Sequence, residues 1–286
     1  MNAQTAIEIG LRGGVIPAAA ALALFLAMGW LWSSDVARRY RPGLAFGLAV
    51  LVGYILLPST ITLVPAQFYD WIPYLGALAA YVTGLTRAGG VLRGERWTAV
   101  YLFAPVAAWL IVPRWPELVP AWPAQWAGLA IGIVLLTALL QPLPQRLPGR
   151  AFPMWLMLTA AAVSLLVMAE VSETFGRLAL LPAGALAGCG IGALMMQEAA
   201  DWRGLLLPYA TVVGGYAYTG CVYPIEPLWP LLLAPAAPLA LWICLWDPLA
   251  RAKGARAIAL QGACVVVPLV ALAAWLLAGT NDADAW

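Results

Sequence analysis

A chain of 286 residues that is 64% hydrophobic and 10% charged cannot fold in water alone, because soluble domains carry roughly 25% charged residues. Lipid must be the solvent for much of its surface. A net charge of +2 gives no basis for a nucleic-acid partner, and the absence of histidine removes imidazole metal ligation and the commonest general base.

Inside lipid only helices or closed barrels satisfy every backbone group, and long runs without alternation exclude a barrel. The expected fold is all-α: one polytopic membrane domain over residues 1–286 with about ten transmembrane helices. In chain order the apolar runs predict helices over 14–33, 43–63, 72–86, 98–112, 126–140, 151–171, 178–199, 205–222, 228–246 and 258–279. The third, fourth and fifth are short against the about 20 residues that a span needs, so counts of about eight to ten are compatible. The first run is expected to be a retained span rather than a signal peptide, since Arg38, Arg39 and Arg41 follow it and only Arg12 precedes it.

The gaps between runs alternate in charge. Arg38, Arg39 and Arg41 follow the first run, Arg87, Arg93 and Arg96 the third, and Arg146 and Arg150 the fifth. Arg203 follows the seventh, and Arg251, Lys253 and Arg256 the ninth. The remaining gaps and ends hold Arg12, Arg114 and Arg177. This is the positive-inside pattern, and it predicts both termini outside. Arginine in place of lysine, together with alanine-rich spans, reads as GC-biased codon usage and points to a bacterial inner membrane.

Trp30, Trp32, Tyr69, Trp71, Trp97, Trp115, Trp122, Trp126, Trp202, Trp229, Trp246 and Trp275 mark run ends, as an interfacial anchoring belt would. The segment 113–123, with Pro113, Pro116, Pro120 and Pro123, is too proline-dense for helix and is expected to lie along the outer surface.

Matches in a constant order suggest an internal repeat. Pro73, Tyr74 and Tyr81 parallel Pro208, Tyr209 and Tyr216; the segment 102–107 parallels 232–237; Gln125 and Ala127 parallel Gln261 and Ala263. Halves at 14–142 and 151–279, with an odd number of spans each, predict a five-plus-five inverted repeat with a site near the midplane. In size and span count the chain is similar to the drug/metabolite transporter superfamily, which implies that same plan. Outside termini depart from the cytoplasmic termini usual there.

Candidate substrate-binding residues follow from this plan. Pro105 and Pro235 interrupt matched spans, and interrupted helices point to a transport site. Tyr209, Tyr216 and Tyr223 share one helix face with Thr219, and Tyr74 and Tyr81 form the equivalent stripe; buried phenols should turn inward to find partners. The candidate site is Tyr81, Pro105, Tyr216, Thr219 and Pro235. The competing expectation is that these tyrosines serve interhelical hydrogen bonding and interfacial anchoring instead.

Gly184, Gly188 and Gly192, and the shorter pairs Gly43 with Gly47 and Gly128 with Gly132, predict close helix packing. Glu170 and Glu173 lie near Arg177, and Glu198 near Asp201 and Arg203, all at run ends. Asp35, Asp70, Asp201 and Asp247 are isolated, and Cys189, Cys221, Cys244 and Cys264 are scattered singly as inert thiols. No catalytic, metal or cofactor signature is present, so neither enzyme activity nor a cofactor is expected. The leading expectation is a transporter or facilitator of a small, weakly charged solute. The alternative is a non-catalytic membrane subunit or assembly factor with a membrane-protein partner; a lipid-modifying enzyme comes third. A polar central cavity would favour transport, and a solid centre with a small-residue patch on the lipid face would favour a subunit.

Overall fold

The computed structural model describes residues 10–31, 35–57, 64–88, 93–147, 151–196, 201–224, 226–250, 252 and 254–283. Among them there is no strand. A π-helical turn, Gly10–Val15, leads into α1 (Ile16–Leu31), followed by α2 (Asp35–Ile55), α3 (Trp71–Ala88), α4 (Arg93–Ile111) and α5 (Trp122–Leu140). Then come α6 (Phe152–Glu170), α7 (Glu173–Met196), α8 (Leu206–Val222), a 3₁₀ rod (Trp229–Leu245) and α9 (Ala255–Ala283). Each expected run has its helix. Six described segments are long and apolar enough to cross a membrane: Gly10–Leu31, Trp122–Arg146, Phe152–Glu170, Glu173–Met196, Trp202–Val222 and Ala255–Leu276. Tyr40–Ile55, Trp97–Ile111 and the rod are apolar but shorter, and α3 is in neither group.

One boundary moves substantially. The second helix, expected over 43–63, begins at Asp35 and ends at Ile55. Alanine and arginine are good helix formers, so the helix extends back through its charged turns. Forward, Pro58 opposes helical geometry in the residue before it.

The centre of the bundle is α8. It is the least apolar of the six long segments and the most buried, with Gly214 its one half-exposed residue. It packs against α3, the rod, α5, α7 and α6. Polar side chains in a span are driven inward by the expense of leaving them in lipid, which explains why Tyr209, Thr211, Tyr216, Tyr218 and Thr219 are all buried.

Close seams hold the other helices. The α7 glycine ladder lies along α1: a Cβ at Gly184 would strike the Gly14 carbonyl, one at Gly188 the Ala18 carbonyl, and one at Gly192 the Phe25 ring. A Cβ at Gly43 would strike the Gly204 carbonyl, and one at Gly47 would come 2.7 Å from the Gly76 carbonyl oxygen. Small residues permit such backbone approach where burial from water cannot drive association.

The helices carry the arginines Arg41, Arg146 and Arg203 to one end of the bundle. Arg41 Nη1 lies 3.1 Å from Met196 Sδ, and its guanidinium is 5.5 Å from the Phe25 ring, which stacks on Trp202. Arg203 is held by Asp201, Nε to Oδ1 at 2.8 Å and Nη2 to Oδ2 at 2.7 Å. With its amide turned to suit, Gln145 also accepts from Arg203 at 2.7 Å. Arg146 lies 5.6 Å from the Trp242 ring. At the opposite end Arg114 sits 4.5 Å from the Trp109 ring, and Arg177 pairs with Glu173 one turn away. Arg150, Glu198, Arg251 and Lys253 lie outside the described residues.

The packing does not confirm the inverted repeat of 14–142 and 151–279: α1–α2 corresponds to α6–α7 and α4–α5 to the rod and α9, but other pairs have no counterpart. α1 lies along α7, while no comparable seam joins α6 to α2; α6 packs on the rod, while none joins α1 to α4. Matched residues behave differently too. Gln125 meets Tyr218 of α8, whereas Gln261 accepts from Trp155 of α6 at 3.0 Å. Pro105 sits in a continuing α-helix and Pro235 in a 3₁₀ one.

A 3₁₀ run of 17 residues is exceptional, since runs beyond 3–4 residues are uncommon. Pro235 and Pro238 lack the N–H that an α-helical ladder would use there, and their rings would clash with the carbonyls four residues earlier. The tighter winding also lengthens the rod, to about 34 Å at about 2.0 Å per residue, against about 25 Å for an α-helix.

The α1–α7 seam generates a prediction. Gly188→Ala should destabilise the protein by about 1–3 kcal/mol, because the added methyl meets backbone rather than a movable side chain. Gly190→Ala, where nothing lies within 4 Å, should be neutral or stabilising by up to about 1 kcal/mol. Thermal unfolding of both variants in detergent checks the contrast.

Candidate functional site

A groove of about 500 Å³ runs down the flank of the bundle between α5 and the rod, floored by α8. α5 contributes Gln125, Gly128, Gly132, Leu136 and Leu139; α8 contributes Ala210, Gly214 and Tyr218; the rod contributes Trp229, Leu232, Pro235 and Leu239. A Cβ added at Gly128, Gly132 or Gly214 would meet nothing within 4 Å. The Gly128–Gly132 pair, expected to pack a helix, therefore opens onto a groove. Among the described residues its lining carries no charged side chain.

Two polar side chains close the end nearest Pro120. The Tyr218 hydroxyl donates to Gln125 Oε1, and Gln125 Nε2 donates to the Pro120 carbonyl at 3.0 Å. Both residues are buried. An apolar lining with few convergent polar groups is the usual make-up of a small-ligand site.

The rod wall of the groove depends on Tyr209. In a 3₁₀ ladder the N–H of residue 238 would serve the carbonyl of residue 235, and Pro238 has no N–H. The Tyr209 hydroxyl takes that place, donating to the Pro235 carbonyl at 3.2 Å.

A second polar group lies beside α8, toward the end that carries Arg114 and Arg177. Asp70, immediately before α3, is 5% exposed. Its Oδ2 accepts from the backbone N–H of Gln67 at 2.9 Å and of Ala66 at 3.2 Å. The Tyr54 hydroxyl of α2 faces the same carboxylate, and Tyr216 lies within electrostatic range of both. Above them Phe68, Tyr69, Phe175, Tyr223 and Trp115 form a closed circuit of ring contacts, with centroids 4.4–6.5 Å apart. Burial pushes the Tyr69 phenol above its ordinary value, and the Asp70 carboxylate adds to that rise.

The five residues singled out from the sequence do not converge. Tyr216 and Thr219 are buried within α8's packing, Tyr216 beside Tyr54 and Asp70. Pro235 lines the groove. Pro105 is held elsewhere, its carbonyl accepting from Trp126 Nε1 at 2.9 Å. Tyr81 is 55% exposed on the flank rather than turned inward. The heptad stripe of α8 is likewise divided: Tyr209 serves the rod, Tyr216 the Asp70 group and Tyr223 the aromatic circuit.

Sequence reasoning missed Asp70, Gln125 and Tyr218 as site residues. In the sequence Gln125 stands out only through its match to Gln261, and nothing near Asp70 in the chain signals its partners. The cysteines also differ from their scattered sequence positions: Cys244 Sγ and Cys264 Sγ lie 3.4 Å apart, both unbridged. Among the described residues no group of three His, Cys, Asp or Glu side chains is arranged to hold a metal.

No protein-family model matches the chain, and no curated protein or solved structure matches it. The site must be read from its own chemistry.

Tyr209→Phe tests the rod wall. Leaving the Pro235 carbonyl without its donor should lower stability by about 1–3 kcal/mol, read as a fall in the thermal midpoint.

Proposed function

We propose that the chain is a multi-pass membrane protein whose ten helices cross a bacterial inner membrane with both termini outside. We further propose that it acts as a non-catalytic membrane subunit that holds one slender apolar chain, of the lipid-tail class, in the flank groove. The observation that carries this reading is the glycine floor: Gly128, Gly132 and Gly214 leave space open that side chains could have filled.

The centre of the bundle supports it. A solute route lined by Tyr81, Pro105, Tyr216 and Pro235 would need a polar cavity where α8 lies packed on nearly every side. The groove instead opens laterally, past exposed Gly128, Gly132, Leu135 and Leu139, into what would be lipid.

Its size selects the guest. The α5 wall from Ala124 to Leu139 is about 22 Å long at 1.5 Å per residue. A groove of about 500 Å³ over that length, open on its outer side, suits a single polymethylene chain laid along it. The Tyr218–Gln125 pair at one end offers hydrogen bonds to a carbonyl or hydroxyl at the head of such a chain, and Trp229 suits the headgroup level there.

Native mass spectrometry of the detergent-purified protein checks this directly. The wild type should retain a lipid-mass adduct, and Gly132→Phe should lose it while unfolding within a few degrees of wild type. A wild type stripped bare under gentle conditions would remove the reading. Topology is checked separately: reporter fusions after Arg41, Arg93, Arg150 and Lys253 should all report cytoplasm, and outside signals at two or more of them would overturn the orientation.

A further inference from the structure

Threonines inside helices ordinarily return their hydroxyl proton to the carbonyl four residues earlier. Thr83, Thr137, Thr159 and Thr211 do so here, at 2.7–2.9 Å. Thr219 does not. Its Oγ1 is buried without a hydrogen-bond partner, and so is the Tyr216 hydroxyl one turn earlier on the same face. The residues are 1% and 2% exposed. Buried polar atoms left in this way call for an explanation, an ion or a water being the usual one.

The neighbourhood supplies one. Ile72 of α3 packs at Gly215, which sets the start of α3 beside this part of α8, and Asp70 lies two residues before Ile72. Its Oδ2 takes both backbone donors, while Oδ1 takes neither. Tyr54 faces the carboxylate from α2. Among the described residues no guanidinium is in ion-pair contact with Asp70. The cluster thus presents one carboxylate and two phenols inside tight helix packing, with the Thr219 hydroxyl one turn further along the Tyr216 face of α8.

We propose that Asp70, Tyr54, Tyr216 and Thr219 form a binding site for a single monovalent metal cation of the sodium class. One carboxylate balances one positive charge, and compensated charge is what a low-dielectric interior tolerates. Divalent oxygen sites gather several carboxylates, and this one has a single acid. The unpartnered hydroxyls turn their lone pairs to the cation, which is why Thr219 forgoes the carbonyl that the other threonines use. The aromatic circuit above it keeps bulk water from the ion. This site is separate from the flank groove, and its test does not depend on the lipid reading.

The test is thermal unfolding of the full chain in detergent at constant ionic strength, exchanging sodium chloride for choline chloride. The wild-type midpoint should rise by several degrees with sodium and saturate. Thr219→Val, which leaves every backbone bond intact, should unfold like wild type in choline and lose most of the sodium response, as should Tyr216→Phe. Asp70→Asn should abolish the response; because Asp70 also holds the preceding loop, the Thr219 and Tyr216 variants decide the matter if that one fails to fold. An identical wild-type midpoint in sodium and choline would leave water in the gap and overturn the proposal. An undiminished sodium response in both hydroxyl variants would overturn it equally.

Discussion

Backbone-to-backbone approach through missing side chains is the constraint on which the bundle depends. In lipid, apolar surface gains little by leaving one hydrocarbon for another, so helices associate by fitting closely and by joining polar groups. Gly184 and Gly188 of α7 against Gly14 and Ala18, and Gly43 and Gly47 of α2 against Gly204 and Gly76, remove the atoms that would hold those helices apart. With α1, α2, α3 and α7 drawn together, α8 is enclosed, and its buried polar side chains must be accommodated by their surroundings. The Tyr209–Pro235 bond, the Tyr218–Gln125 bond and the Asp70 group are three different answers to that demand.

Much of the architecture was legible from local pattern. Long apolar runs become helices because lipid forces the backbone to satisfy itself, and Arg41, Arg146 and Arg203, from three of the charged gaps, meet at one end of the bundle. The α7 ladder was also readable, since three glycines at four-residue spacing have little other use. Gly128 and Gly132 carry the same spacing and face empty space, because spacing fixes a face of the helix and says nothing of what lies opposite. Order along the chain is equally silent about partners: Gln125 and Gln261 match in order but meet α8 and α6 respectively.

The polar sites were less legible. Asp70 is remote in sequence from Tyr54 and Tyr216, and only the crossing of α2, α3 and α8 brings them together. Hydropathy could not distinguish a 3₁₀ rod from an α-helix, although the prolines at 235 and 238 hold the reason in their missing donors. α2 began earlier than its apolar run suggested because helix formation tolerates arginine at a membrane edge. Tyr81 points outward because α3 meets its neighbours with Leu75, Gly76, Ala79 and Ala80 instead.

Taken together, the molecule separates its tasks in space: a solid core, a charged-oxygen cluster toward one end, and an apolar channel on one side. The 3₁₀ rod has a further consequence for how the whole sits in its surroundings. A hydrocarbon layer about 30 Å thick outreaches 17 α-helical residues, and such a shortfall is met by thinning the membrane or tilting neighbours. On the topology proposed above, the tighter winding gives Trp229–Leu245 a reach of about 34 Å, close to the depth of that layer. Its prolines would then do more than forbid one kind of helix: they would fit the rod to the thickness of the sheet around it.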